Sequence, residues 1–314
     1  MRNQKINSPA RLCIWPFLLL LGLLSGCQSQ PAAPTMEIAV LPDDGTLTTA
    51  PEPTSEPILT DVPISTMPPT KIPLPSQIVD DFSVPMVLIA VGSFEMGSEN
   101  SDPNESPVHT VDLAAFYMDV YEVTNVRYLE CVEAGICSEH NATEINDPML
   151  ANFPMRNVSW YEANTYCKWR GAQLPTEAQW EKAARGGSVG KLYPWGDDDP
   201  ICEFGAVNGA KFDDEADCHD TGPEPVGSYA PNGYGLYDMA GNVVEWTLDW
   251  LADDYYSHSP WENPLGPDSG KYKVVRGGSW HTGTDTLLIA HRYGVLPRFA
   301  YNLLGFRCVV SISE

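Results

Sequence analysis

The chain has 314 residues, enough for one large domain or two small ones, and carries 18 Lys and Arg against 42 Asp and Glu, a formal charge of −24. A chain this acidic is repelled by nucleic acid and by anionic headgroups, which argues against both as direct partners and leaves cations, metal ions included, as natural small ligands.

The first 27 residues address the chain out of the cytoplasm. Arg2, Lys5 and Arg11 precede the apolar run "IWPFLLLLGLL" (14–24), which is too short to cross a bilayer but has the length of a signal-peptide core. The run ends in "LSGC" (24–27), which resembles the bacterial lipobox, in which cleavage leaves the cysteine first and lipid is attached to its thiol. This resemblance implies lipidation at Cys27 and an extracytoplasmic protein anchored to a bacterial membrane, at the cell surface or facing the periplasm. Removing residues 1–26 takes away three cations and no anion, so the formal charge becomes −27 and membrane attachment has to come from lipid. Residues 27–82 read as a tether. There are eleven prolines between 28 and 82, with many Thr, Ser and acidic residues and no sustained apolar periodicity. At about 3.1 Å per residue, fifty such residues reach on the order of 150 Å when fully extended.

The remaining residues, 83–314, are expected to form the folded domain. "MVLIAVGSFEMGS" (86–98) reads as a strand, a glycine turn and a second strand, and "VHTVDLAAFYMDVYEVT" as a further β-rich stretch. A helix is predicted from Thr124 to about Ala134. Ser159 with Glu162 makes a capping box for a helix over 160–170 closed by Gly171, and Thr176 with Gln179 does the same for "EAQWEKAAR", closed by Gly186. Beyond 190 periodicity fades, and Gly, Pro, Asp and Trp dominate. Such a long irregular region needs external staples. Setting Cys13 and Cys27 aside leaves six cysteines, an even number in an exported chain, which suggests disulfides although six allow fifteen pairings. Zinc is disfavoured, because there is no CxxC and no histidine at finger spacing. Cys131 and Cys137 flank a helix end, Cys202 and Cys218 bracket an acidic loop, and Cys167 and Cys308 lie on a helix and in the final predicted strand, "LGFRCVV".

"GLYDMAGNVVEW" (235–246) places Asp238 and Glu245 on either side of Gly241. A turn here can aim both carboxylates and the carbonyls of Gly241 and Val243 at one calcium ion, which takes six to eight oxygens. A solvated Asp and a capping Glu explain the same residues. Trp160, Trp169, Trp180, Trp195, Trp246, Trp250 and Trp280 are read as core, with an exposed subset lining a ligand groove as the alternative.

Five stretches, "NGYGLYDMAGNVVEWTLDW" (232–250), "QLPTEAQWEKAARGG" (173–187), "YPWGD" (193–197), "VVRGGSW" (274–280) and "LGFRC" (304–308), resemble the formylglycine-generating enzymes, or sulfatase-modifying factors, in order and spacing. The resemblance covers about 86–312. It implies a compact α+β domain of C-type-lectin-like fold with much irregular structure. It also implies structural calcium at Asp238, Gly241, Val243 and Glu245, and a second calcium at Asn208, Gly209, Asp220 and Gly222. A cross-link between Cys167 and Cys308 is implied as well. Active members place a copper-binding cysteine three residues after the Ser of "RGGS" and another five beyond it. Those positions are Thr282 and Leu287 here, and of the family's active-site residues only Ser279 remains. A hydroxyl and an isobutyl group cannot replace the thiolates that capture Cu(I), so copper is not expected. His281 and His291 are the other pocket candidates, with Asp285 as the carboxylate that could complete a metal site beside them. The leading expectation is a lipid-anchored, calcium-stabilised, non-catalytic module binding a protein or small molecule. The alternatives are an oxidoreductase or protein-modifying enzyme with altered metal ligands, and a structural envelope protein.

Overall fold

The first strand already reaches back before the expected domain boundary. The computed structural model describes residues 73–99, 102–139, 142–213, 218 and 222–312, all within the unit Pro68–Glu314. The residues read as a signal segment, Cys27 and most of the expected tether lie outside the described residues. Strand β1 (Gln77–Val79) pairs antiparallel with β2 (Pro85–Ile89), and Asp80 accepts hydrogen bonds from the amides of Phe82 and Val84 to close the turn between them. The fold thus begins some residues ahead of position 83.

The sequence pattern 86–98 does not fold back on itself. β2 joins a four-stranded antiparallel sheet in the order β1-β2-β5-β10, with β5 at Phe116–Asp119 and β10 at Val309–Ser311. The strand after the turn, β3 (Gly92–Met96), instead forms a two-stranded ribbon with β4 (His109–Leu113). A second four-stranded sheet has the order β8-β7-β6-β9, from β6 (Val244–Trp250), β7 (Lys273–Arg276), β8 (Arg292–Val295) and β9 (Leu304–Gly305), with β6 and β9 parallel. "LGFRCVV" is therefore not one strand. β9 lies in one sheet and β10 in the other, and Phe306–Cys308 carries the chain between them because Arg307 turns inward to a buried partner and Cys308 is tied to Cys167.

The helices follow their caps. α1 (Asn125–Glu133) starts after Thr124 and α2 (Ala142–Ile145) is one short turn. In α3 (Trp160–Trp169) and α4 (Glu177–Ala184) both capping boxes form as read from Ser159/Glu162 and Thr176/Gln179. All three expected disulfides are present, Cys131–Cys137, Cys167–Cys308 and Cys202–Cys218, with Cα separations of 5.3, 5.7 and 5.5 Å. One core packs Ile89, Met118, Trp180 and Leu236 between the first sheet and α4; a second surrounds the Cys167–Cys308 bridge with Tyr128, Tyr166, Trp246 and Phe306. Trp180, Trp246 and Trp280 are buried, the other four predicted core tryptophans are half-buried, and among the described residues the most exposed tryptophan is Trp261. Among the described residues no helix is long and apolar enough to cross a membrane.

Candidate functional site

The 238–245 segment is a tight corner ahead of and into β6. Asp238, Gly241 and Asn242 all have positive φ, at 56°, 80° and 59°. Gly241 is required twice over, since a Cβ there would collide with the Lys211 carbonyl oxygen as well as meeting the left-handed strain. The amide of Gly241 donates to the Gly277 carbonyl at 2.7 Å, and that of Trp280 to the Asn242 carbonyl at 2.8 Å. The predicted metal turn and the "RGGSW" segment are thereby one unit.

Three carboxylates converge on this corner. Glu122, Asp238 and Glu245 are 2%, 8% and 1% exposed, and the cation hydrogen-bonded among them is Arg307, which is fully buried. Arg307 donates from Nε to both Glu245 oxygens at 2.9 Å and from Nη2 to Oε1 at 2.7 Å, while Trp180 Nε1 donates to Oε2 at 2.9 Å. Glu122 accepts from Asn242 Nδ2 at 2.6 Å and from the Val243 amide at 3.1 Å. Asp238 accepts from the Gly227 amide at 2.7 Å. Burial first, then the charges of Asp238 and Glu245, push Glu122 well above the ordinary carboxylate range. Burial, with Glu245 adding, pushes Asp238 up to about 6 against the pull of the Gly227 amide and Arg307. Sequence reading found Asp238 and Glu245 but missed Glu122, Arg307 and Trp180, which lie up to 123 residues away and carry no local pattern.

The second predicted ligand loop is closed by the Cys202–Cys218 bridge. Asn208 Nδ2 donates to the Asp199 carbonyl at 2.8 Å and the Asn208 carbonyl accepts from Ile201 at 3.0 Å. Gly209 packs against Tyr229 where no side chain would fit, and Gly222 is buried. Asp220 lies outside the described residues.

β7 runs into Gly277 and Gly278, both at positive φ, and then into Ser279. Ser279, one of the pocket candidates, is fully buried. Its amide donates to Thr282 Oγ1 at 2.8 Å, the Thr282 hydroxyl donates back to the Ser279 carbonyl at 3.2 Å, and Thr286 Oγ1 donates to Thr282 Oγ1 at 2.6 Å. Leu287 is buried in a small apolar cluster with Tyr193, Phe212, Cys218 and Ala240. A Cβ on Gly278 would meet both Thr286 Oγ1 and Leu287 Cδ2, so the segments bearing Thr282 and Leu287 enclose that glycine together. His281 is half exposed, 3.6 Å from Asp213. His291 is mostly buried and lies 3.4 Å from Glu105. The two histidines do not share a ligand set: the convergent group of three ligating side chains among the described residues is Asp102, Glu105 and His291, which contains neither His281 nor Asp285.

Below this corner α4 supplies two buried glutamates. Glu177 receives Arg292 through both oxygens at 2.7 Å and Arg276 at 3.3 Å. Glu181 pairs with Arg185 and Arg276 and accepts the Gly97 amide at 2.8 Å. Burial works against the Glu181 charge, but Arg185 and Arg276 together hold its carboxyl below the usual range.

Fold, bridges and the "RGGS" corner define an irregular α+β domain of the sulfatase-modifying class. The chain belongs to the sulfatase-modifying factor enzyme 1-like domain family, which matches residues 79–312. It is 39% identical over 247 residues to the serine/threonine-protein kinase pkn1 of Chlamydia pneumoniae, covering 73% of this chain but 38% of that one, so it spans well under half of that relative's length. It is 32% identical to the formylglycine-generating enzyme of Streptomyces coelicolor, over 69% of this chain and 86% of the enzyme. It is also 32% identical to the inactive C-alpha-formylglycine-generating enzyme 2 of Bos taurus, over 72% and 88% of the two chains. Among solved structures, PvdO from Pseudomonas aeruginosa superposes with a TM-score of 0.64 at 25% identity, covering 77% of this chain and all of PvdO.

Proposed function

We propose that this chain is a lipid-anchored, extracytoplasmic member of the family that does not form formylglycine by copper–thiolate chemistry and serves as a calcium-stabilised binding module. The observation that carries this reading is the pair of positions 282 and 287. Soft sulfur captures Cu(I), whereas Thr282 offers a hydroxyl already engaged in its own turn and Leu287 offers hydrocarbon. Neither can exchange a disulfide with a substrate thiol. The next cysteine, Cys308, is held by Cys167. The kinship with a relative whose name states inactivity supports the same reading.

Calcium is supported by charge. Three buried carboxylates around one arginine raise one another's affinity for protons, and a hard dication among them would offset that by favouring the charged forms of Glu122 and Asp238. Asp238 suits a ligand role, because it accepts a single hydrogen bond. Glu245 suits it less well, since Arg307 and Trp180 occupy its lone pairs; Glu245 would have to release one of them to ligate an ion. The ligand-binding face in this reading is the surface around His281 and Thr282.

The test is turnover. The purified full chain, given Cu(I) and a sulfatase-type cysteine peptide, should yield no aldehyde. Aldehyde formation that is lost on Thr282→Ala or His281→Ala overturns the reading and makes the protein an enzyme. Conversely, Thr282→Cys with Leu287→Cys should take up Cu(I), which checks the alignment independently of turnover.

A further inference from the structure

We propose that Asp102, Glu105 and His291 form a binding site for a divalent transition-metal ion of the zinc class, apart from both the calcium turn and the "RGGS" corner. The stretch "DPNE" forms a short 3-10 helix at Pro103–Glu105 with Asp102 at its N-cap. Three residues per turn places side chains at i and i+3 on one face, so Asp102 and Glu105 project together. His291, at the entry to β8, comes in from 186 residues away, and one ligating atom from each of the three residues lies within 4.8 Å of the other two.

Glu105 is the informative member. It is fully buried, and neither of its carboxylate oxygens accepts a hydrogen bond. A buried carboxylate without donors is costly and calls for a counterion. The Arg292 guanidinium, which reaches the adjacent Asn104 carbonyl, does not supply one, because it is committed to Glu177 and to the carbonyls of Asn104 and Ala252. The contact that remains is His291 Nδ1 at 3.4 Å from Oε1. Two ligands bound at about 2.1 Å to one tetrahedral ion stand about 3.4 Å apart.

The surroundings suit an ion. Asp102 does not use its side chain to cap the helix and is exposed, which gives the site a route to solvent and room for water as a further ligand. The Glu105 backbone is clamped, with its amide donating to the Asp102 carbonyl and its carbonyl accepting from Ser98, each at 2.9 Å. Gly97 permits that approach, since a Cβ there would strike the Glu105 carbonyl oxygen. Two carboxylates balance a dication, and an imidazole beside them favours zinc, iron or manganese over Cu(I) or calcium.

The test uses the full chain stripped of metal by chelation, with calcium present throughout so that the acidic turn does not report. Zn2+ affinity is read by competition with a chromophoric chelator, and Co2+ uptake by its visible absorption bands. The wild type should bind one equivalent. His291→Ala and Glu105→Gln should weaken binding by more than about 100-fold, beyond what loss of an outer-shell partner does. Asp102→Asn, an exposed substitution that leaves the core untouched, should weaken it by roughly tenfold or more, so the proposal stays testable if a buried variant fails to fold. A wild type that takes up no Zn2+ reduces the cluster to a His291–Glu105 ion pair and overturns the site. Zn2+ held equally tightly by the Asp102→Asn and His291→Ala variants places the ion elsewhere and overturns it as well.

Discussion

Replacing Glu245 by alanine separates two roles that one carboxylate could fill. If Glu245 mainly answers Arg307, its loss strands a fully buried guanidinium and leaves Trp180 Nε1 without an acceptor. Breaking a buried pair from one side costs about 3–5 kcal/mol. In a domain of this size, each kcal/mol moves Tm by about 2–4 °C, so a fall of roughly 10 °C is expected. That fall should be the same in excess calcium and in chelator, because the stranded charge does not depend on the ion. Asp238→Ala is the contrast. It removes one acceptor, that of the Gly227 amide, at a cost of about 1 kcal/mol, and also relieves a buried negative charge. Its main effect should be loss of calcium dependence, worth about 2.7 kcal/mol at a hundredfold excess over Kd. Thermal melts of the full chain with and without calcium read both. A Glu245→Ala variant as stable as wild type in chelator refutes the Arg307 assignment, and a wild type indifferent to chelation refutes calcium at this corner.

Cys27→Ser should move the protein out of membrane fractions, and its retention there would reject the lipid anchor. Removing the Cys167–Cys308 bridge by paired alanine substitution opens a loop with a sequence separation of 141, which chain entropy values at about 5 kcal/mol; an unchanged denaturation midpoint would contradict that. Asp249, buried and close to the charge of Glu177, has its carboxyl pushed up to about 7. Because the folded state holds this proton more tightly than the unfolded chain does, its contribution is complete below about pH 4 and is lost as pH rises through 7, by up to about 1.4 kcal/mol per unit. Asp249→Asn should therefore gain on wild type steadily between pH 4 and 7, and a constant difference over that range would show that Asp249 is not protonated in the fold.

Local chemistry was the legible part of the sequence. Ser159, Glu162, Thr176 and Gln179 signal their helix starts because a capping box is written within four residues. The strands were harder. β6 is buried along nearly its whole length and so lacks the alternation that marks a half-exposed strand, and "LGFRCVV" conceals a change of sheet behind a continuous apolar run. The metal-like cluster was half visible. His291 stood out, but its carboxylates were sought at Asp285, six residues away, when the fold supplies Asp102 and Glu105 from the other end of the domain. Pairings of that separation leave no trace in periodicity; the "DPNE" turn was the available hint.

Arg276, Arg292 and Arg307, all but sealed from water, act as pins through a body made largely of loops. Arg276 and Arg292 fasten the second sheet to α4, and Arg307 fastens the C-terminal segment to β6. Peeling any one segment away would drag an ion through a medium that cannot solvate it. Partial opening is thereby made nearly as costly as complete opening, and the irregular chain is expected to come apart as a single piece, with no frayed intermediate for a protease to grip.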